Sequence, residues 1–174
     1  FDIAGADFVL MIGADALDSW GATVANQKAF AATRPTGGAA TAQFVYAGPV
    51  LNNTASVSDK WVAVTPTGAS AFALGLANLL IAAGAVSSAP DFADYKALAA
   101  KFTPEAVEAA AGVKAEVLKD LAAKLKAAKA PLVIAGASFG QGAGAVDFCA
   151  AAAVYVLLGR VDVSGGMPVL PAAP

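Results

Sequence analysis

The sequence has no histidine and a single cysteine, Cys149. That pair of shortages excludes most site chemistry from the segment. Zinc fingers and cysteine-held iron–sulfur clusters need several soft ligands. A Ser-His-Asp or Cys-His apparatus needs an imidazole. One cysteine cannot close an internal disulfide, so the redox compartment is not legible. Charge is scarce as well, with 11 basic and 13 acidic side chains and a formal net charge of −2. Most of the lysines fall between Lys96 and Lys129, where acids interleave with them. Such a stretch is a solvated helix surface, not a nucleic-acid stripe, and no RNA- or DNA-reading motif accompanies it.

What the sequence has is apolar mass: 58% of residues are hydrophobic, enough in 174 residues to bury one core. The run Ala69 to Val86 is uncharged and close to the length that crosses a bilayer. Gly75, Asn78 and Gly84 interrupt it, and no basic anchor flanks it. It is therefore expected to be a buried helix packed on a sheet, with no direct membrane span. The chain opens at Phe1 without a leader-like segment and ends on the linker-like Met167-Pro-Val-Leu-Pro-Ala-Ala-Pro174. The expectation is a segment of a longer polypeptide.

Asp7 to Gly13, Gln43 to Ala47, Lys60 to Val64 and Pro131 to Ala135 are short apolar or β-rich runs that predict strands. Helices are expected between them. Ser19–Thr33 is capped by Asp18 or Ser19 and closed by Arg34-Pro35. Ala69–Ala83 and Asp91–Lys101 follow. Thr103-Pro104-Glu105 opens a short helix that Gly112 ends. Lys114–Lys129 carries the stripe Val117, Leu118, Leu121, Ala122 and Leu125. Ala145–Leu158 is the last. The alternation predicts an α/β fold, an open and mostly parallel sheet with helices on both faces, Rossmann-like. One domain over 1–174 is expected, with a helical insertion at about 91–112.

Ligands of such sheets sit beyond the carboxyl ends of the strands. The candidate loops are Gly13-Ala14-Asp15, Gly48-Pro49-Val50, Pro66-Thr67-Gly68-Ala69 and the glycine-rich Gly136 to Gly144. The last lacks both the dinucleotide fingerprint spacing and the Lys-Ser/Thr of a P-loop, so a plain turn is the simpler reading beside a phosphate cradle. Asp15 and Asp18 could hold a ribose or act as a base, against the simpler roles of turn and cap. Cys149 is expected to be a buried structural thiol, and Trp20 and Trp61 core or interface anchors.

Three segments in order resemble the molybdopterin oxidoreductase large-subunit family. They are ADFVLMIGADALDSW at Ala6–Trp20, VYAGPVLNNTASVSDKWVAVTPTGASAFALGLANLLI at Val45–Ile81 and VYVLLGRVDVSGGM at Val154–Met167. In active members this part of the fold holds one half of a molybdopterin guanine dinucleotide. By position, the resemblance implies cofactor-binding roles for Gly13, Ala14, Asp15, Pro66, Thr67 and Gly68. Two departures count against such roles. Val50 stands where the family has Arg, and Thr67-Gly68-Ala69-Ser70 lacks the family's acidic residue, leaving guanine and phosphates without their charged partners.

The pattern is similar to members that keep the fold without metal, as in alternative complex III and the periplasmic quinone reductase complex. Asp18-Ser19-Trp20 fits that group better than it fits the complex I relative. The resemblance implies a non-catalytic domain of a membrane-associated, quinone-linked electron-transfer complex, on the periplasmic side of the inner membrane. Iron–sulfur, haem and membrane subunits would be its partners, and neither cofactor nor catalytic residue is expected in the segment. A catalytic molybdenum or tungsten bis-pyranopterin subunit is the alternative. A thiamine-diphosphate enzyme's central domain is a third, because Lys129-Ala-Pro131-Leu-Val-Ile-Ala-Gly136 resembles its strand and turn.

Overall fold

A computed structural model describes residues 1–136 and 144–169. Its centre is a four-stranded, all-parallel sheet: β1 (Phe8–Ile12), β2 (Gln43–Gly48), β3 (Lys60–Ala63) and β4 (Pro131–Ala135), in the order β3-β2-β1-β4. The strands start close to where their apolar runs begin. Every residue of β1 and β4 is buried, as expected of parallel strands covered on both faces. The register pairs Leu10 with Val45 and Val133, so the two faces of the sheet are lined by alternate residues of each strand.

Helix α1 (Thr23–Ala32) follows β1, and α2 (Asn53–Val57) follows β2. The long crossover from β3 to β4 holds α3 (Ala69–Ala82), α4 (Phe92–Ala99), α5 (Pro104–Ala111) and α6 (Ala115–Ala127), and α7 (Ala145–Leu157) follows β4. The path runs outward from β1 to β3 and then returns past β1 to β4. Right-handed crossovers then place α1 on one face and the long crossover on the other. Ring contact of Phe30 with Phe44 at 4.9 Å holds α1 to its face.

The uncharged run forms α3, and no helix among the described residues is long and apolar enough to cross a membrane. Helices surround it: α4, α5, α6 and α7 all pack on it. Its glycine therefore serves a helix contact, where a sheet contact was expected. A Cβ on Gly75 would lie 2.4 Å from Val107 of α5 and 3.1 Å from Leu118 of α6. Asn78 offers its amide to the Phe102 carbonyl at 3.1 Å, satisfying the one polar side chain in the middle of the helix.

Thr103 caps α5 by accepting from the Ala106 amide, Pro104 fills the first turn, and Gly112 closes the helix at φ 71°. In α6 the expected stripe is the inner face, with Leu118, Leu121, Ala122 and Leu125 buried. Two expectations fail. Helix α1 begins at Thr23 after Ala22, with no side-chain cap, because Asp18 and Ser19 belong to a separate turn. Helix α2 was not foreseen. Asn52 caps it by accepting from the Ala55 amide, and its five residues are too few to show a helical period.

Backbone–carboxylate bonds join distant parts of the chain. Asp7 accepts from the amides of Lys129 and Ala130, both at 2.9 Å, and so ties the start of β4 to the start of β1. Asp2 accepts from the Gly165 amide at 2.8 Å. That bond and a second from the Gly5 amide hold the Asp2 carboxyl below the ordinary aspartate value. Bonds from Lys124 and Lys60 do the same for Asp120. A carboxyl whose folded pKa is depressed adds stability above its unfolded pKa and loses it as pH falls through the folded one. The urea midpoint should therefore be flat from neutral pH down to about 5 and fall below about 4. A midpoint already falling between pH 7 and 5 would contradict this.

Candidate functional site

The strand order places a topological switch between β1, from which the chain runs to β2, and β4, which it reaches from β3. In an open parallel sheet a ligand crevice forms at the carboxyl ends beside such a switch. Gly13 leaves β1 on one side of it and Gly136 leaves β4 on the other. Gly13 takes φ 61°, a conformation that favours glycine, and donates its amide to the Ala47 carbonyl at 2.8 Å.

Trp20, partly buried, packs at this crevice. A Cβ on Gly136 would sit 2.7 Å from the Trp20 indole and 3.0 Å from Ala14. The glycine is thus required by the indole packed against it. Phe1 lies over Trp20 with ring centroids 6.0 Å apart and also meets Tyr155 edge-on. Trp20 was foreseen only as an anchor; its place at the switch point depends on a turn that periodicity does not reveal.

That turn is organised by Asp15, which is 1% exposed. Its carbonyl accepts from the amides of Asp18, Ser19 and Trp20. Its carboxylate accepts from the Ser19 hydroxyl at 2.8 Å and from the Thr54 hydroxyl. Thr54, fully buried at the start of α2, accepts in turn from the Leu17 amide at 3.2 Å. Asn26 and Gln27 of α1 donate to the carbonyls of Ala16 and Leu17, and Asn53 reaches Asp18. The turn is locked to α1 and α2 by side chains from both helices. Thr54 could not be singled out from the sequence, since a threonine in a polar run looks like any loop residue.

Pro66, Thr67 and Gly68 also lie at the carboxyl edge, but after β3, two strands from β1. Gly68 presses on α5: a Cβ there would come within 2.6 Å of the Ala111 backbone. The Thr65 amide and hydroxyl bond to the carbonyls of Ala111 and Ala110, fixing this turn to the end of α5. No hydrogen bond among the described residues joins it to the Gly13–Asp15 turn. At the third candidate loop Val50 and Leu51 are exposed, while the Trp61 indole donates to the Gly48 carbonyl at 3.0 Å. Trp61 itself is 39% exposed, so it is no core anchor. Most of the glycine-rich loop, 137–143, lies outside the described residues.

The charge of this edge is one-sided. The four loops after the strands, 13–22, 48–59, 64–70 and 136–144, contain no Lys or Arg, and Asp15 and Asp18 are the acidic residues they bring to this edge; Asp59, where the second loop enters β3, lies at the other end of the sheet. Arg34, just past the end of α1, points to the opposite end of the sheet. There it pairs with Asp59 at 2.7 Å, bonds the Ala42 carbonyl, and covers the Phe30 and Phe44 rings. No group of metal-ligating side chains is present among the described residues.

A dinucleotide with a pyrophosphate brings at least two negative charges and needs amides or cations to receive them. Its guanine needs an accessible carboxylate. Here the four loops supply no cation, the Asp15 carboxylate is turned inward onto two hydroxyls, and the Trp20 indole packs against Gly136 at the switch point. The described residues do not fit a pterin dinucleotide.

A family profile described as "Molybdopterin oxidoreductase" matches residues 1–170. The chain belongs to the molybdopterin oxidoreductase family. The thiamine-diphosphate reading is displaced by this match. Among curated relatives, the chain is 55% identical over 173 residues to the "Menaquinone reductase, molybdopterin-binding-like subunit" of Nitratidesulfovibrio vulgaris. The match covers 99% of this chain and 25% of that protein, so the chain spans about a quarter of the relative's length. Among solved structures, acetylene hydratase from Pelobacter acetylenicus superposes with a TM-score of 0.63 at 15% identity, over 90% of this chain and 21% of that one. That likeness shows the fold alone, an α/β arrangement on a parallel sheet.

Cys149, expected inside, is exposed on α7. The helix is apolar on both sides, so its sequence does not show which side meets the sheet.

Proposed function

We propose that the chain is a non-catalytic structural domain of the molybdopterin-binding-like subunit of a quinone-linked respiratory reductase, and that it holds no pterin. The observation that carries this is Trp20 at the switch point, packed on Gly136 and held there by the Asp15–Ser19–Thr54 turn. The name of the 55% identical relative points the same way, since it describes a subunit as molybdopterin-binding-like within a menaquinone reductase. On this reading Gly13, Ala14, Asp15, Pro66, Thr67 and Gly68 are vestiges of a cofactor edge, and structural contacts now employ them. The parent subunit would sit against iron–sulfur, haem and membrane subunits at the periplasmic face of the inner membrane. Electrons would pass through those subunits and not through this domain.

The deciding measurement is the molybdenum, tungsten and oxidised-pterin content of the native full-length subunit. The expected result is well below one equivalent of each. Stoichiometric metal and pterin would overturn the reading and establish the catalytic bis-pyranopterin alternative.

A further inference from the structure

Helix α7 is nearly without charge: Asp147 is its only ionisable side chain apart from Cys149 and Tyr155. Ala150, Ala151, Val154, Tyr155 and Leu157 are its buried residues, and α7 packs on α3 and β4. The outer side is apolar too. Val146, Cys149, Ala153 and Val156, spaced by three, four and three residues, form one stripe. Val146 is 69% and Val156 43% exposed. Helix α6 behaves differently: it is amphipathic, burying its leucines and turning Lys119 and Lys126 to solvent. A helix that is apolar all round is a buried helix.

At its C-terminal end the stripe runs into a groove of about 180 Å³ between α7 and α4, lined by Phe92, Tyr95, Ala153, Val156 and Leu157. Tyr95 has a buried hydroxyl without a hydrogen-bond partner among the described residues, and burial pushes its pKa up to about 12. A buried hydroxyl left unpaired is unfavourable, and an acceptor on whatever covers the groove would relieve it.

We infer that the α7 stripe and the α4–α7 groove form an interface covered by polypeptide of the same parent subunit outside residues 1–174. Two observations select this occupant. Most of the relative that this chain matches over 99% of its length lies outside the matched region, so a large amount of the same polypeptide has to be seated around this domain. The face is also mostly apolar, with Ser87, Asp91 and the Tyr95 hydroxyl the polar groups that line the groove, and it resembles a core divided between two parts of one fold. The inference is independent of whether the parent binds pterin.

Cys149 reports on the face without any substitution. The full-length subunit, purified without other subunits, is treated with N-ethylmaleimide, and labelling of Cys149 is followed by peptide mass spectrometry before and after unfolding in urea. The expected native rate is on the order of a hundredfold below the unfolded rate, because a covered thiol reacts only when the interface opens. A native rate within about threefold of the unfolded one would show the face open to solvent and overturn the inference. Protection that appears only after other subunits are added, or only as subunit concentration rises, would assign the face to a partner or a second copy and overturn it equally.

Discussion

Thr54→Val is expected to destabilise the chain by about 3 kcal/mol or more, the sum of two losses at one buried atom. Valine has the shape of threonine, so packing is retained. The hydroxyl is what disappears, and it both donates to Asp15 and accepts from the Leu17 amide. Hydrogen bonds to a charged group are worth about 1.5–3 kcal/mol, and a buried amide left unpaired costs about 1–3. Thr54→Ser keeps the hydroxyl and gives up one methyl, so about 1 kcal/mol is expected. Urea denaturation with unchanged slope measures both. If valine and serine variants fall together, the hydroxyl is not holding the turn, and the locked turn that positions Trp20 loses its support.

The same network explains why Asp15 resembles a site residue in the sequence and acts as a structural one in the fold. An aspartate after a strand-ending glycine is what a ribose- or base-binding site would require. Whether it faces outward depends on the positions of Ser19 and Thr54. Ser19 is four residues away and legible as a neighbour. Thr54 lies 39 residues away, on a helix too short to foresee. Local pattern could therefore identify the edge of the sheet but not the direction of Asp15, the buried carboxylate there.

Elsewhere legibility follows the length and regularity of the signal. Pro131–Ala135 and the inner stripe of α6 stand where apolar period and breakers place them. The cap at Thr103 and stop at Gly112 are local chemistry and are also found. The start of α1 is misplaced because Ser19, a good capping residue, is drawn off by Asp15. The inner and outer sides of α7 could not be told apart, which is why Cys149 was assigned to the wrong one. The charge of the candidate edge, by contrast, was fully available in the sequence. Its lack of Lys and Arg gains meaning only when the strand order brings the four loops to one edge.

Gly75→Leu should be more damaging still, because α3 has no free side. The first added carbon would lie 2.4 Å from Val107 and 3.1 Å from Leu118, both fully buried and on different helices. Valine is stiff about its one side-chain torsion, so it has little room to turn away. Alanine at this position sets two effects against each other. It gains about 1 kcal/mol of helix propensity over glycine and loses about 1–3 kcal/mol to overpacking. A net loss of about 1 kcal/mol is expected for Gly75→Ala, with the sign decided by the Val107 contact. Leucine adds three further carbons where α5 and α6 both press on α3, so α5 must separate from α3 or the chain must not fold. Val107→Ala should then partly rescue Gly75→Ala by removing the methyl that is hit, a coupling that a double-mutant cycle isolates. Strict additivity between the two would mean that α3 and α5 are not in the close contact that the glycine permits.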